Sequence, residues 1–205
     1  MKFIDLTHTL TSDTPVFPGD PSVALEQTVF IEKDGNNDHA LTTAMHVGTH
    51  IDAPFHMIAG GKRIDEFSPE HFFGRGVLID ARGKKAIDLS VLEGVTIEKD
   101  SFVLIYTGFG EKFTSDNYFE NSPAMTEDFA KKMIDLSVKM VGMDTSTPDH
   151  DTNWPVHKLL LGKEIMILEN LTNLHQLLHA EKFDVIALPL KLKADAAPVR
   201  VIAKV

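Results

Sequence analysis

The most constraining feature of this 205-residue chain is a cluster of three of its ten histidines within residues 46–56, which read HVGTHIDAPFH. Its four strongest candidate metal ligands or proton carriers all have even numbers: His46, His50, Asp52 and His56. An extended chain would place them on one face, because side chains alternate along a strand. Gly48, Thr49 and Pro54 disfavour a helix here. Two imidazoles can reach one ion only if the segment bends, and Gly48 permits that bend.

The residue types in this cluster favour a metal site held by nitrogen and oxygen. The chain has no cysteine, which excludes disulfide scaffolds, Cys-based zinc fingers, iron–sulfur clusters and thiol nucleophiles. Neutral imidazole and carboxylate are ordinary ligands of first-row divalent ions. A single histidine is most simply a surface residue. Three histidines and an aspartate that would share one face of an extended chain favour a metal centre.

Two residues far along the chain are weaker candidates for the same chemistry. Glu169 ends the apolar run 165–168, and a carboxylate at the end of a buried strand must be solvated, paired or bound to a metal. His157 falls in the first turn of a helix predicted over 155–161, with Pro155 at its start and Gly162 as a left-handed stop. Taken singly, each residue is equally well explained by simple exposure to water.

Composition and pattern predict one mixed α/β or α+β domain over residues 1–205, with a sheet-rich core. With 43% hydrophobic and 24% charged residues, the chain is close to the globular average. Short apolar runs of strand length recur at 76–80, 102–106, 138–143, 165–168 and 185–188. Helices are predicted at about 126–137 and 173–181, besides the one at 155–161.

Charge and hydropathy restrict the partners and the compartment. The formal net charge of −10 would repel a phosphate backbone, so we expect no nucleic-acid partner. No stretch approaches the roughly 18 apolar residues of a membrane span, and residues 1–6 lack the apolar run of a signal peptide. We therefore expect a cytoplasmic protein without membrane association.

The spacing of the histidine cluster resembles the signature of the cyclase-type metal-dependent hydrolases, whose best-characterised members are bacterial kynurenine formamidases (arylformamidases). The motif is specific, because five residues that form hydrogen bonds or allow bends have the same spacing along the sequence as in the family signature. The resemblance extends over nearly the whole chain, through residues 4–8, 15–20, 142–145, 157–169 and 186–200.

This resemblance implies an active site and a fold. The positions that match His46, His50 and Asp52 bind one zinc ion in such formamidases, and those that match Asp52, His157 and Glu169 bind a second. His56 matches the proposed proton donor and acceptor. The resemblance also implies one or two Zn²⁺ per subunit, with Mn²⁺ as an alternative, a single-domain α/β fold of the swivelling β/β/α type, and a homodimer or higher homo-oligomer.

The implied activity is hydrolysis of an aryl formamide such as N-formyl-L-kynurenine to kynurenine and formate, through metal-activated water. Formamidases typically have tryptophan at a substrate-contacting position that is Phe17 here, and proline directly after the threonine that matches Thr145. These departures leave other small-molecule substrates open. The alternatives are a cyclic amide, as in isatin hydrolases, or another acyl compound. A catalytically silent metal-binding module is the alternative outside the enzymes.

Overall fold

A computed structural model describes residues 1–205, and most of its regular secondary structure is β-strand. The strands are β1 (Phe3–Asp5), β2 (Ala24–Val29), β3 (Asp38–Thr42), β4 (His50–Asp52), β5 (Phe73–Asp80), β6 (Ala86–Ile87), β7 (Phe102–Tyr106), β8 (Ala124–Met125), β9 (Met140–Met143), β10 (Met166–Glu169), β11 (Phe183–Pro189) and β12 (Ala196–Lys204). The α-helices are α1 (Ile31–Asp34), α2 (Glu127–Asp135) and α3 (Pro155–Leu161). Short 3₁₀ helices cover Pro54–His56, Ile64–Glu66, Pro69–Phe72, Leu89–Leu92, Phe109–Lys112 and Leu174–Leu177.

Eight of the strands form one sheet in the order β1-β12-β11-β5-β7-β9-β10-β4. The central strands β5, β7, β9 and β10 run parallel, whereas β4 pairs antiparallel with β10. Strand β4 also pairs with the first residues of β12, which closes the sheet into a barrel-like form. The two remaining pairs, β2 with β3 and β6 with β8, lie outside this sheet.

The sheet buries apolar side chains on both faces, as parallel strands usually do. Side chains along β7 point alternately to the two faces of the sheet and so belong to two hydrophobic clusters. Phe102 and Leu104 are part of the first cluster, and Val103 and Ile105 are part of the second. The second cluster is covered by α2 and α3, which supply residues such as Phe129. The strands β4 and β10, all of whose residues are buried, are thereby supported by this sheet.

The predicted α/β class, sheet-rich core and short peripheral helices are confirmed, and each predicted apolar run overlaps a strand of this sheet. Two local predictions are wrong. The segment 173–181 forms only a single 3₁₀ turn, Leu174–Leu177, after Asn173 in the left-handed region. Gly162 follows α3 with φ −65°, and the left-handed residue at the end of this helix is Glu164, with φ +58°, instead of the glycine. None of the helices is long and apolar enough to cross a membrane.

Candidate metal centre

Strand pairing brings three of the candidate ligands together. In the antiparallel register of β4 and β10, His50 lies opposite Glu169 and Asp52 lies opposite Ile167. Directly opposite residues on neighbouring strands have their Cβ atoms about 5 Å apart. His50, Asp52 and Glu169 are all at least 94% buried at the side chain, so these polar groups meet inside the protein rather than at its surface.

The bend predicted at Gly48 is present and orients His50. Gly48 has φ +61°, a left-handed conformation that residues with a Cβ rarely adopt. Its carbonyl oxygen lies 2.8 Å from His50 Nδ1, so that nitrogen carries the proton and donates. Asn170 Nδ2 donates to the same carbonyl at 2.9 Å. The other ring nitrogen, His50 Nε2, consequently faces the carboxylates of Asp52 and Glu169, at 3.5 and 3.3 Å.

His157 is fixed by the start of α3 and by an acidic side chain upstream. Trp154 has φ +54°, and the helix begins at Pro155. The Asp149 carboxylate accepts hydrogen bonds from the backbone N–H groups of Val156 and His157, both at 2.9 Å. It also accepts from His157 Nδ1 at 2.8 Å, which leaves Nε2 facing the site.

His46 and His56 form the more exposed side of the site. Their ring centroids are 4.1 Å apart. His46 Nδ1 lies 2.9 Å from Asp52 Oδ1, while its Nε2 is 2.8 Å from Asp195 Oδ2. The same Asp195 oxygen lies 3.4 Å from His56 Nδ1. His56 is part of the 3₁₀ turn Pro54–His56, which follows β4 directly.

The nitrogen and oxygen atoms of this cluster fit a metal centre. Two sets of three groups each offer ligand atoms within 4.8 Å of one another: His46, Asp52 and His56, and His50, Asp52 and Glu169. His157 Nε2 borders both carboxylates, at 3.3 Å from Glu169 and 3.7 Å from Asp52. Ligands with bonds of about 2.1 Å to one ion lie roughly 3 Å apart, which matches this spacing.

Several of these buried atoms have no hydrogen-bond partner in the chain: His50 Nε2, both carboxylate oxygens of Asp52, and Glu169 Oε1. Buried polar atoms are normally hydrogen-bonded, and leaving them unpaired is costly. Bound divalent ions would satisfy all of them, so the donor set fits the implied cofactor. The division of the ligands between two ions remains a prediction, and His56 lies close enough to be a ligand itself.

Burial and the nearby carboxylates act on the pKa values of the imidazoles in opposite directions, since burial lowers them and the carboxylates raise them. Burial alone would lower the pKa of His157, but its hydrogen bonds to Asp149 and Glu169 outweigh burial and raise it to about 10. In the same way, Asp52 raises the pKa of His46 to about 9 against the effect of burial. For His56 burial dominates and lowers the pKa below its ordinary value. His56 is therefore the neutral imidazole of the three near pH 7, ready to accept a proton.

The candidate ligands open into a cavity of about 320 Å³. Its apolar wall consists of Phe17, Met57, Phe119 and Trp154. Phe17 and Phe119 meet edge to face, with ring centroids 5.7 Å apart. Such a wall suits a flat aromatic ligand, since aromatic rings pack favourably in offset or edge contacts. Phe17, the candidate substrate contact, thus borders the same cavity as His56 and Glu169.

The structure brings all seven candidate residues to this site and adds others that the sequence patterns did not single out. Asp149 and Asp195 orient His157 and His46, and Phe119 completes the aromatic wall. Asp149 lies eight residues before its histidine and Asp195 lies 149 residues after His46. No local spacing rule connects either pair, so only the tertiary fold shows them.

Comparisons with known proteins agree in family and in fold. Residues 4–150 match the family model described as "Putative cyclase". The chain is 30% identical over 207 residues to a kynurenine formamidase of Bacillus cereus, an alignment that covers 99% of this chain and 97% of that protein. Isatin hydrolase A from Labrenzia aggregata, solved with benzyl benzoate, has a TM-score of 0.88 and 28% identity, over 98% of this chain and 93% of that one. The "predicted metal-dependent hydrolase" from Bacillus stearothermophilus has a TM-score of 0.81 and 25% identity, and the match covers 98% of this chain and 97% of that one.

Proposed function

Because the chain belongs to the cyclase family of metal-dependent hydrolases, we propose that its site hydrolyses the amide bond of an aryl formamide such as N-formyl-L-kynurenine, giving kynurenine and formate. The observation that carries this proposal is the convergence of unpartnered, buried ligand atoms beside an aromatic cavity. A silent binding module would need the ligands, but it would not need a neutral histidine next to them.

The proposed ligands are His46, His50, Asp52, His157 and Glu169, with Asp52 shared between two ions. They would hold Zn²⁺, or Mn²⁺, since no soft cysteine ligand is present to select against manganese. A bound divalent ion of this kind supplies Lewis acidity, which polarises a carbonyl group and makes a water molecule more acidic.

His56 is the proposed general base and acid. Its ring is neutral near pH 7 because burial lowers its pKa, so it can take a proton from the attacking water. The protonated ring then returns that proton to the amide nitrogen as the C–N bond breaks, which releases the arylamine. Asp195 Oδ2 lies 3.4 Å from His56 Nδ1 and stabilises the protonated ring between these two steps.

The aromatic wall is proposed to hold the aryl ring of the substrate. Phe17, Phe119 and Trp154 line the same cavity as the candidate ligands, which gives a planar ring apolar surface to pack on. Phe17 provides this contact without the indole N–H of tryptophan, so it contributes ring packing but no hydrogen bond. The ring contact orients the formyl carbon toward His56.

We further propose that residues 1–205 act as one domain in a cytoplasmic homodimer or higher homo-oligomer with a small-molecule substrate. These proposals are supported by the resemblance to formamidases and, for the domain, by relatives that match 99% of the chain. The second candidate activity is ring opening of a cyclic aryl amide. The similarity to isatin hydrolase A supports it, because both activities cleave an amide attached to an aromatic ring.

A direct comparison of two substrates tests the proposal. Metal-loaded protein is assayed with N-formyl-L-kynurenine and with isatin, each before and after treatment with EDTA. The proposal predicts EDTA-sensitive hydrolysis with the formamide as the better substrate by kcat/KM. A reversed preference would favour the cyclic amide, and turnover that survives complete metal removal would contradict both activities.

A further inference from the structure

One buried residue beside the candidate metal centre, Asn170, is hydrogen-bonded to four separate segments of the chain. Its backbone N–H donates to the carbonyl of Thr145 at 2.9 Å, and its backbone carbonyl accepts from Thr49 Oγ1 at 2.6 Å. Its side-chain Oδ1 accepts from the Tyr118 hydroxyl at 2.7 Å, and its Nδ2 donates to the carbonyl of Gly48 at 2.9 Å. Because a buried and fully paired network is rigid, these bonds fix the position of the Asn170 amide.

Asn170 lies between two of the candidate metal ligands. It follows Glu169 directly at the end of β10. The carbonyl to which its amide donates, that of Gly48, also accepts a hydrogen bond from His50 Nδ1 at 2.8 Å. A carbonyl oxygen has two lone pairs and can accept both bonds, so the amide holds this carbonyl without displacing the imidazole.

The direction of the Gly48 carbonyl determines where the other ring nitrogen of His50 points. With Nδ1 bound to this oxygen, Nε2 lies 3.3 Å from the Glu169 carboxylate and 3.5 Å from that of Asp52, and it has no hydrogen-bond partner in the chain. Gly48 has φ +61° and no side chain of its own to hold its peptide group in place. The Asn170 amide supplies that constraint.

The hydroxyl of Tyr118 determines which end of the amide faces Gly48. By donating to Oδ1 it engages the acceptor end of the amide, which leaves the NH₂ group toward the Gly48 carbonyl. Tyr118 is fully buried, and its ring meets that of Phe119 edge to face, with centroids 5.3 Å apart. One chain of contacts therefore runs from the aromatic wall through Tyr118 and Asn170 to a candidate metal ligand.

We propose that Asn170 is a positioning residue for the metal centre: its amide holds the Gly48 carbonyl, and this carbonyl directs His50 Nε2 toward the ion. Asn170 acts through these two residues and is not a ligand itself. Its φ of +56° is a left-handed conformation that asparagine adopts more readily than most residues. The inference goes beyond the proposed function, since it concerns the binding of the ion and holds for either candidate substrate.

A second asparagine provides a matched control. Asn173 also has a left-handed backbone, with φ +59°, and its Nδ2 donates to the backbone carbonyl of Asp5 at 2.8 Å, but it does not border the cavity of the metal centre. Asn170→Gly and Asn173→Gly each remove one such amide and keep the backbone conformation, because glycine adopts positive φ freely.

Two measurements on protein stripped of metal test the proposal: titration with Zn²⁺ against a competing chelator, and the visible absorption spectrum after loading with Co²⁺, which reports the geometry of the ligands. In Asn170→Gly we expect one Zn²⁺ equivalent to bind about 10- to 100-fold more weakly than in wild type, and the Co²⁺ spectrum to change. Asn173→Gly should keep the wild-type affinity and spectrum.

Wild-type affinity with an unchanged Co²⁺ spectrum in Asn170→Gly would overturn the inference. An equal loss of affinity in Asn173→Gly would also overturn it, because the loss would then reflect a general weakening of the fold. If Asn170→Gly does not fold, Tyr118→Phe replaces it, since this substitution removes only the hydroxyl that orients the amide. We expect Tyr118→Phe to bind Zn²⁺ about three- to tenfold more weakly, and unchanged affinity would contradict the proposal.

These measurements also separate the inference from the proposed function. Neither requires turnover, so a protein that binds Zn²⁺ as predicted but hydrolyses neither N-formyl-L-kynurenine nor isatin would contradict the proposed function and support the role of Asn170. A wild-type protein that binds no Zn²⁺ would overturn the inference together with the metal centre.

Discussion

One carboxylate oxygen of Asp149 accepts hydrogen bonds from two atoms of His157, the backbone N–H at 2.9 Å and the ring Nδ1 at 2.8 Å. Because a carboxylate only accepts, Nδ1 carries a proton and donates, so Nε2 is the ring nitrogen that would bind an ion, in place of its own proton. Nε2 lies 3.3 Å from Glu169 and 3.7 Å from Asp52. The tautomer and the direction of this candidate ligand are thus set by Asp149, a residue outside the candidate ligand set.

Asp149→Ala is expected to weaken metal binding without emptying the site. Loss of a carboxylate that orients a ligating histidine typically costs 10- to 100-fold in affinity, and we expect a loss of about that size by isothermal titration with Zn²⁺. The free energy of unfolding of the metal-free protein should also fall by about 1 kcal/mol, because Asp149 caps the start of α3.

Asp151→Ala is a suitable control for this variant, since Asp151 is an exposed residue whose side chain bonds only Asn153 within the same loop. Its metal affinity should match wild type. Equal affinities of Asp149→Ala and Asp151→Ala would show that His157 either needs no orienting partner or is not a ligand.

His56→Ala separates the role of proton carrier from that of ligand, since His56 lies within reach of both. As the general base and acid it should keep the metal content of wild type while kcat falls by about 10²- to 10⁴-fold. Inductively coupled plasma mass spectrometry gives the metal content, and a formamide assay gives kcat. If metal is lost in proportion to activity, His56 is a ligand rather than the proton carrier.

Glu169→Gln probes the second ion. The substitution keeps the size of the side chain at the end of β10 but removes its charge. Glu169 is one of two carboxylates that face both His50 and His157. We expect one equivalent of metal to be lost when wild type binds two. Retention of both equivalents at unchanged affinity would remove Glu169 from the ligand set.

His8 predicts a pH-dependent component of stability. Its ring stacks on Phe113 with centroids 3.8 Å apart, and burial lowers its pKa to about 4. The unfolded chain binds a proton to this group near pH 6.5, which the folded chain does not bind until about pH 4. The contribution of His8 to stability is therefore fully present above pH 6.5 and is lost as the pH falls toward 4.

Urea unfolding of metal-free wild type and His8→Phe at pH 7 and pH 4.5 measures this component. From pH 7 to pH 4.5, the free energy of unfolding of wild type should fall by about 1 kcal/mol more than that of His8→Phe. The expected difference is smaller than a fully buried histidine would give, because the ring of His8 is partly exposed to solvent. Parallel losses in the two proteins would contradict the assignment of the low pKa to His8.

The sequence was sufficient for the parts of the site that lie close together along the chain. One short segment carries His46, His50, Asp52 and His56, and their even spacing together with one glycine indicated that the side chains converge. The bend predicted at Gly48 is confirmed by its φ of +61°. Strands such as β7 were predictable because five consecutive buried apolar residues are typical of a strand covered on both faces.

The remaining features depend on the tertiary fold. The register that sets Glu169 opposite His50 joins residues 119 positions apart, and no periodicity in either strand specifies it. The predicted helix over 173–181 is wrong although its leucines follow a helical spacing: Leu174 and Leu177 are buried in the main core from a single 3₁₀ turn. The apolar stripe identified the buried side chains, but packing against the sheet determined the backbone.

Stepwise reconstitution of the metal-free protein tests the central claim most directly. Metal is removed with EDTA, Zn²⁺ or Mn²⁺ is added in increments, and hydrolysis of N-formyl-L-kynurenine is measured at each ratio of bound metal to protein. Our account predicts negligible turnover at zero metal and a rate that rises with bound metal until one or two equivalents fill the site. Full activity in the metal-free protein, or a protein that binds no metal under these conditions, would contradict it.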